Sequence, residues 1–224
     1  MKVAMKPFDA AWFYIEKLEA PVHFAPLLIL SPPADAPATF VRDFVEQWRQ
    51  CRACAPPFNY RLRRSRLPAW DVLDDEDIDL DYHFRHSALP APGGERELGN
   101  FVSRLHTHRL DRRRPLWECH VIEGLENNRF AIYLKLHHGQ LDGIGAARLM
   151  MRMCSTDPNV RGLLPPWSVG MQTRKTPRRP GLGGKPRKQV ESPSALLQLA
   201  ALPKALRTLS ALTREAFIDE RSEV

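Results

Sequence analysis

The chain reads as an α/β protein on three observations. Helix-like and strand-like hydrophobic patterns alternate through the first 155 of its 224 residues. One alternating run ends in His137-His138-Gly139-Gln140-Leu141-Asp142-Gly143, which places a strand, a tight turn and a helix start in succession. A composition that is 43% apolar is sufficient to bury a core. Four cysteines do not make a disulfide scaffold. No apolar run reaches the roughly 18 residues of a bilayer span, and the longest candidate, 20–34, is broken by Pro21, Pro26, Pro32 and Pro33. Asp9, Glu16 and Glu19 interrupt the place of a secretory h-region. These features point to a soluble protein of a reducing, cytoplasmic compartment.

The elements follow in order. Asp9 can cap a short helix over 9–18, with Trp12, Phe13 and Ile15 as its apolar face. Residues 22–30 read as a buried strand closed by Pro32-Pro33. After Pro37 a second helix carries Phe40, Phe44 and Trp48 at spacing four, with Val41 and Val45 beside them. Residues 60–73 suit irregular short strands. Ile78, Leu80, Tyr82 and Phe84 alternate with Asp79, Asp81 and His83, the pattern of a half-exposed strand. A loop at 90–94 precedes a helix over 95–109 with Leu98, Phe101, Val102 and Leu105 on one side.

Two strands then flank Glu126-Asn127-Asn128-Arg129. Asparagine tolerates positive φ, so the Asn-Asn pair predicts a hairpin turn. A turn centred there pairs Trp117 with His138, Cys119 with Leu136, Val121 with Leu134 and Leu125 with Phe130. Glu118 and His120 then fall opposite His137 and Lys135 on a second, more polar face. Both strands agree on which face is apolar, and a one-residue slip would destroy that agreement. After Gly143 a helix carries Ala146, Leu149, Met150 and Met153.

The charge divides the chain. The net charge is +7, but residues 1–155 hold 21 Lys and Arg against 20 Asp and Glu, whereas 156–224 hold 12 against 6. A nucleic-acid binder shows its basic stripe on the folded domain, so nucleic acid is not the expected ligand. The domains read as 1–156, a folded lobe; 157–193, a basic linker rich in Pro and Gly; and 194–224, an amphipathic helix with Leu196, Leu199, Leu206 and Leu209. That basic amphipathic segment suits packing on another lobe, self-association or an anionic lipid surface.

The chemistry concentrates at His137 and His138. Neighbours on a strand point to opposite faces, so the pair cannot easily grip one metal or one substrate. His138 continues the apolar face of Phe130, Ile132, Leu134 and Leu136. A neutral imidazole at the mouth of an apolar channel has a pKa within reach of general-base work. Asp142 can accept a hydrogen bond or pair with an arginine and hold the loop, and Gly143 allows a turn or a close approach by substrate.

The His-His-x-x-x-Asp-Gly pattern resembles that of the coenzyme-A-dependent acyltransferase superfamily. Pro115-Leu116-Trp117-Glu118 and Val121-Ile122-Glu123-Gly124-Leu125 narrow the resemblance to the bacterial bifunctional wax ester synthase/diacylglycerol acyltransferases. Asp9-Ala-Ala-Trp12, Asp79-Leu-Asp-Tyr-His83 and Pro92-Gly-Gly-Glu-Arg-Glu-Leu98 add to it, and it spans residues 5–168. It implies a chloramphenicol-acetyltransferase-like lobe, a mixed sheet covered by helices, followed by the linker and a C-terminal helix. It also implies an O-acyltransferase moving a fatty acyl group from acyl-CoA to a long-chain alcohol or diacylglycerol. His138 would be the general base, His137 and Asp142 would orient the loop, and Gly143 would shape the site. Pro115, Leu116, Trp117 and Glu118 would line or support the acyl pocket. Acyl-CoA enters as a substrate, with no cofactor and no metal. Such enzymes carry two lobes with a tunnel between them, and this chain holds the motifs of the first. The implied partners are therefore a second lobe or a homodimer, with peripheral contact at an inner membrane or lipid inclusion. The rival readings are a condensation-type acyltransferase with another acceptor, and a non-catalytic half-enzyme that binds acyl chains or lipid surfaces.

Weaker constellations read as ordinary structure. Cys51 and Cys54 lack a second pair or a histidine set for zinc. His106 and His108 lie about 200° apart on a helix and cannot chelate together. The arginines of 61–66 and of 112–114, and the carboxylates of 74–81, read as solvated faces.

Overall fold

The computed structural model describes residues 1–63, 65, 68–157 and 160–171. The helix expected over 194–224 and most of the linker lie outside them. Two sheets organise the described residues. The smaller is antiparallel, with β1 (Lys2–Ala4) beside β5 (Ala69–Val72) and β5 beside β4 (Tyr60–Arg63). In the larger, β8 (Arg129–His137) pairs antiparallel with β7 (Trp117–Leu125), which pairs parallel with β6 (Phe84–Ala88). On its other edge β8 takes both β2 (His23–Phe24) and β3 (Leu27–Leu30). The sheet is therefore mixed, and helices cover both faces. On one face Val45 and Trp48 of α2 (Phe40–Gln50), Leu149 and Met153 of α5 (Gly143–Met153) and Trp167 of α6 (Pro166–Val169) close over Cys119, Val121, Leu134 and Leu136. On the other, Leu98 of α4 (Glu95–Thr107) packs on Ile122, Ala131 and Tyr133. A third cluster ties Phe13 of α1 (Pro7–Ile15) to Trp70 and Leu116. Among the described residues no helix is long and apolar enough to cross a membrane.

Several expectations need correction. The strand expected over 22–30 is two segments, because Pro26 has no N–H to give to the ladder. It is buried only in its first half, at His23, whereas Leu27, Ile29 and Leu30 of β3 are exposed at the sheet edge. The alternating run 78–84 is not a strand. Asp79 Oδ1 accepts the Tyr82 N–H at 3.1 Å and starts a single helical turn, α3 (Leu80–His83), before β6 begins at Phe84. Asp9 lies inside the first turn of α1, which begins at Pro7, a residue whose missing N–H costs nothing there.

The hairpin keeps its expected faces but not its register. Trp117 pairs with Leu136 rather than His138, Glu118 with Lys135 rather than His137, and Cys119 with Leu134. A slip of two residues leaves every side chain on the same face, so alternation alone cannot detect it. Both turn asparagines do lie at positive φ, 60° and 54°. An irregularity between Ile122 and Leu125, with Gly124 at φ 82°, turns Leu125 to the face of Ile122 and away from Phe130. The linker composition also conceals core residues. Trp167 is fully buried, its Nε1 donates to Cys51 O at 2.8 Å, and the Ala55 N–H donates to Trp167 O at 2.8 Å.

Candidate active site

The site begins where β8 runs out. His137 is its last residue, and residues 138–140 form the turn before α5. The His138 N–H still reaches Val22 O at 3.2 Å, so the residue is pinned to the neighbouring edge. Its ring is half-buried between Trp12, stacked at 4.9 Å, and Phe24 at 4.7 Å. Burial lowers its pKa and the Asp142 carboxylate partly offsets this, so the imidazole is neutral at neutral pH and able to take a proton.

His137 lies in different surroundings. It is 1% exposed and stacks on Phe13 at 4.4 Å and 8°. Its Nδ1 accepts the Gly139 N–H at 2.9 Å, and its carbonyl accepts the Gln140 and Leu141 N–H groups. Burial lowers its pKa to about 4 despite the nearby Glu16, which keeps the ring neutral. The two neighbouring rings thus lie in different surroundings: His138 is half-buried between Trp12 and Phe24, and His137 is sealed against Phe13.

Asp142 caps α5, its Oδ1 accepting the Gly145 N–H at 2.6 Å. Its bond is to the helix rather than to an arginine. Among the described residues a side chain at Gly143 would meet nothing within 4 Å, so their packing does not require glycine there. Close to His138, packing requires glycine at two other positions, Gly139 and Gly145. A Cβ at Gly139 would lie 2.4 Å from the Phe13 ring, and one at Gly145 would lie 2.6 Å from Leu141.

Gln140 is a further residue that sequence reasoning missed. Its Oε1 accepts the Leu116 N–H at 2.9 Å and its Nε2 donates to Pro57 O at 2.8 Å. This joins the motif turn to the Pro115–Glu118 stretch from a residue inside the x-x-x of the pattern. Leu116 and Trp117 themselves are fully buried. Trp117 Nε1 donates to Phe58 O at 2.8 Å, and its ring stacks on His83 at 4.4 Å and Trp167 at 5.5 Å. Pro115 is buried beside Arg61. Glu118 faces the side opposite to Trp117, 3.5 Å from His120. Of the four, Leu116 is the one bonded to the turn, its N–H donating to Gln140 Oε1 and its carbonyl accepting the His137 N–H.

The other candidates separate clearly. Cys51 and Cys54 are free thiols, and burial pushes the Cys54 thiol up to about 12. Among the described residues no three His, Cys, Asp or Glu converge on one point. The two arginine runs do meet, around a concavity of about 350 Å³ lined by Arg61, Leu62, Arg63, Asp71, Arg112 and Arg113. They are not simply solvated: Arg63 pairs with Asp71 at 2.9 Å and Arg112 with the buried Glu16. His106 is likewise engaged, its Nδ1 lying 2.9 Å from the Tyr133 hydroxyl.

Residues 5–222 match the wax ester synthase/diacylglycerol acyltransferase catalytic domain. The chain belongs to that family. It is 40% identical to an O-acyltransferase of Acinetobacter baylyi over 207 residues, 92% of this chain and 43% of that one. It is 45% identical to a putative diacylglycerol O-acyltransferase of Mycobacterium tuberculosis over 190 residues, 80% of this chain and 42% of the relative. The wax ester synthase/diacylglycerol acyltransferase of Marinobacter aquaeolei superposes with a TM-score of 0.69 at 42% identity, over 74% of this chain and 41% of that one. A condensation domain of the calcium-dependent antibiotic synthetase superposes at 0.52 with 18% identity, over 68% and 37% of the two chains, which shows a shared fold. The chain therefore spans less than half the length of the relatives it matches.

Proposed function

We propose that the chain transfers a fatty acyl group from acyl-CoA to the hydroxyl of a long-chain alcohol or a diacylglycerol, with His138 as general base. The observation that carries this reading is the His138 ring, neutral and half-buried between Trp12 and Phe24 at the end of β8. Membership of the family supports it. The imidazole takes the hydroxyl proton as the oxygen attacks the thioester carbonyl carbon. The tetrahedral intermediate then expels the thiolate, and the imidazolium returns the proton to sulfur. The products are an ester and the free CoA thiol, so the step balances without a covalent acyl-enzyme or a cofactor. Asp142 serves this scheme by capping α5, and His137, Leu116 and Gln140 serve it by holding the turn. Acceptors this apolar are met at a lipid surface, so the reading includes peripheral contact with one.

The test is thiol release by the purified chain from palmitoyl-CoA, with hexadecanol or a diacylglycerol as acceptor. Turnover that falls by roughly 10²–10⁴ in His138→Ala is the expected outcome, the usual worth of a general base. Near-normal turnover in that variant would remove His138 from the mechanism. No turnover by the wild-type chain with either acceptor would favour the non-catalytic, acyl-binding reading.

A further inference from the structure

We propose that Glu16 is a positioning residue that fixes the proton and the orientation of the His137 ring and, through that ring, the turn carrying His138. The catalytic half of this statement rests on the function proposed above; the structural half does not. The Glu16 side chain is 3% exposed, and it sits where four separate segments meet. Its Oε2 receives Arg109 Nη2 at 2.8 Å and Arg112 Nε at 2.9 Å, and its Oε1 receives the Val22 N–H at 3.2 Å. The same Oε1 faces His137 Nε2 at 3.7 Å. A buried carboxylate with this many donors is held, not merely tolerated. Burial would raise its pKa, but the two arginines and the Val22 N–H outweigh that and hold it at about 2.

The proton on His137 then has one place to go. Nδ1 accepts the Gly139 N–H at 2.9 Å, so in the neutral ring the proton belongs on Nε2. Nε2 is buried and makes no hydrogen bond among the described residues. At 3.7 Å the Glu16 contact is too long to be one. The interaction is a charge facing an N–H dipole in a dry site, where it is screened little.

The rest of the helical turn that carries Glu16 grips the same loop. The Glu16 N–H still bonds to Trp12 O, continuing α1 by one residue. Trp12 stacks on His138 and Phe13 stacks on His137. A Cβ at Gly139 would lie 2.4 Å from the Phe13 ring and 2.9 Å from Asp9 O. Helical spacing puts Trp12 and Phe13, four and three residues before Glu16, on its side of α1. One face of the N-terminal helix therefore sets both histidines and the glycine after them.

The decisive substitution is Glu16→Gln. The amide oxygen must serve the two arginines, which turns the NH₂ toward the Val22 N–H and the His137 Nε2–H. Donor then faces donor. The ring relieves this by carrying its proton on Nδ1, which in turn faces the Gly139 N–H. ¹⁵N NMR of histidine-labelled chain at pH 7.5 reads the tautomer directly, and amide exchange reads Gly139. Wild type is expected to show the Nε2–H form and a protected Gly139. Glu16→Gln is expected to shift toward the Nδ1–H form, with Gly139 exchanging about fivefold to tenfold faster, the effect of losing one hydrogen bond. Its kcat for thiol release should fall about tenfold to a hundredfold with KM for acyl-CoA little changed, since a base misplaced by about 1 Å costs on that order.

A folded Glu16→Gln chain that keeps the Nε2–H form and a protected Gly139 overturns the proposal. So does one that switches tautomer and turns over normally. If the wild type releases no thiol but the tautomer switches as described, the acyl-transfer reading fails and the structural assignment stands. Should Glu16→Gln not fold, His137→Asn decides. Its Oδ1 can stand where Nδ1 stands and accept the Gly139 N–H, so it should protect that amide better than His137→Phe, which has no acceptor. Equal protection in the two variants overturns the proposal.

Discussion

On one face of the β7–β8 hairpin, Trp117, Cys119 and Val121 meet Leu136, Leu134 and Ile132. On the other, Glu118 and His120 meet Lys135 and Tyr133. The composition makes the first face apolar and the second more polar, yet both are buried. Lys135 is 0% exposed and His120 is 1% exposed, as dry as Leu134. What differs is where each face finds its partners. The apolar face needs only other apolar groups, which α2, α5 and α6 supply. The polar face draws on α4: Lys135 Nζ donates to Leu105 O at 2.7 Å and to His108 O, carbonyls left open at the helix C-terminus. The Tyr133 hydroxyl reaches His106, and His23 Nε2 lies 2.6 Å from His106 O. A polar strand face can thus be interior when a helix end docks on it, and the docking residues lie about 30 positions away in sequence.

If the apolar face dominates stability, Trp117→Ala should be the most costly change in the hairpin. It empties a fully buried site and leaves Phe58 O without its donor. About 3–5 kcal/mol should be lost in urea unfolding, the range for truncating a large core aromatic. A loss below about 1 kcal/mol would mean that the neighbouring tryptophans collapse into the space.

Acid sharpens the comparison, because it acts on rings sealed around both faces. His23, His83 and His137 each take a proton near 6.5 ordinarily, and burial lowers all three to about 4. Between those values the unfolded chain binds more protons than the folded one. Stability is therefore full above about pH 6.5 and falls as pH drops toward 4, by up to about 1.4 kcal/mol per pH unit for each ring. Below about 4.5, Glu16, held at about 2 in the folded chain, steepens the fall. Unfolding free energies that are flat from pH 7 to pH 4.5 would show that these rings are open to water.

Lys135→Met tests the polar face alone. The thioether keeps the length and loses the donor, so two helix-terminal carbonyls and Glu118 are left without their cation. The expected cost is about 1–3 kcal/mol, the penalty of orphaned buried acceptors. A stabilised variant would mean that the desolvation of Lys135 outweighs what its bonds return.

These contrasts explain what could be read beforehand. The apolar face, the asparagine turn and the motif strand are local patterns, and local patterns fix parity. Register is not local: pairing Trp117 with Leu136 or with His138 satisfies the same alternation. Pro26 could have been read as the break in the first strand, whereas the single turn of α3 mimics a strand because four residues cannot display a helical period. Glu16 was recognisable only as a charge. Its partners Arg109 and Arg112 stand 93 and 96 residues away, and nothing in the spacing joins them. Trp167 was hidden among prolines and glycines that describe a linker in composition, although one aromatic among them closes the core.

The smallest effect is expected at Tyr133. Its ring is 1% exposed and belongs to the cluster under α4, so Tyr133→Phe leaves the packing intact. The change removes only the hydroxyl that lies 2.9 Å from His106 Nδ1. His106 is exposed, so water can replace the lost partner on that side. A hydrogen bond with so accessible a partner is worth about 0.5–1.5 kcal/mol, and water recovers part of that. Chemical denaturation of Tyr133→Phe should therefore show a loss below about 1 kcal/mol. A loss above about 2 kcal/mol would mean that the bonds among Tyr133, His106 and His23 reinforce one another. The polar face would then hold the hairpin as a network, comparable in strength to the apolar face behind it.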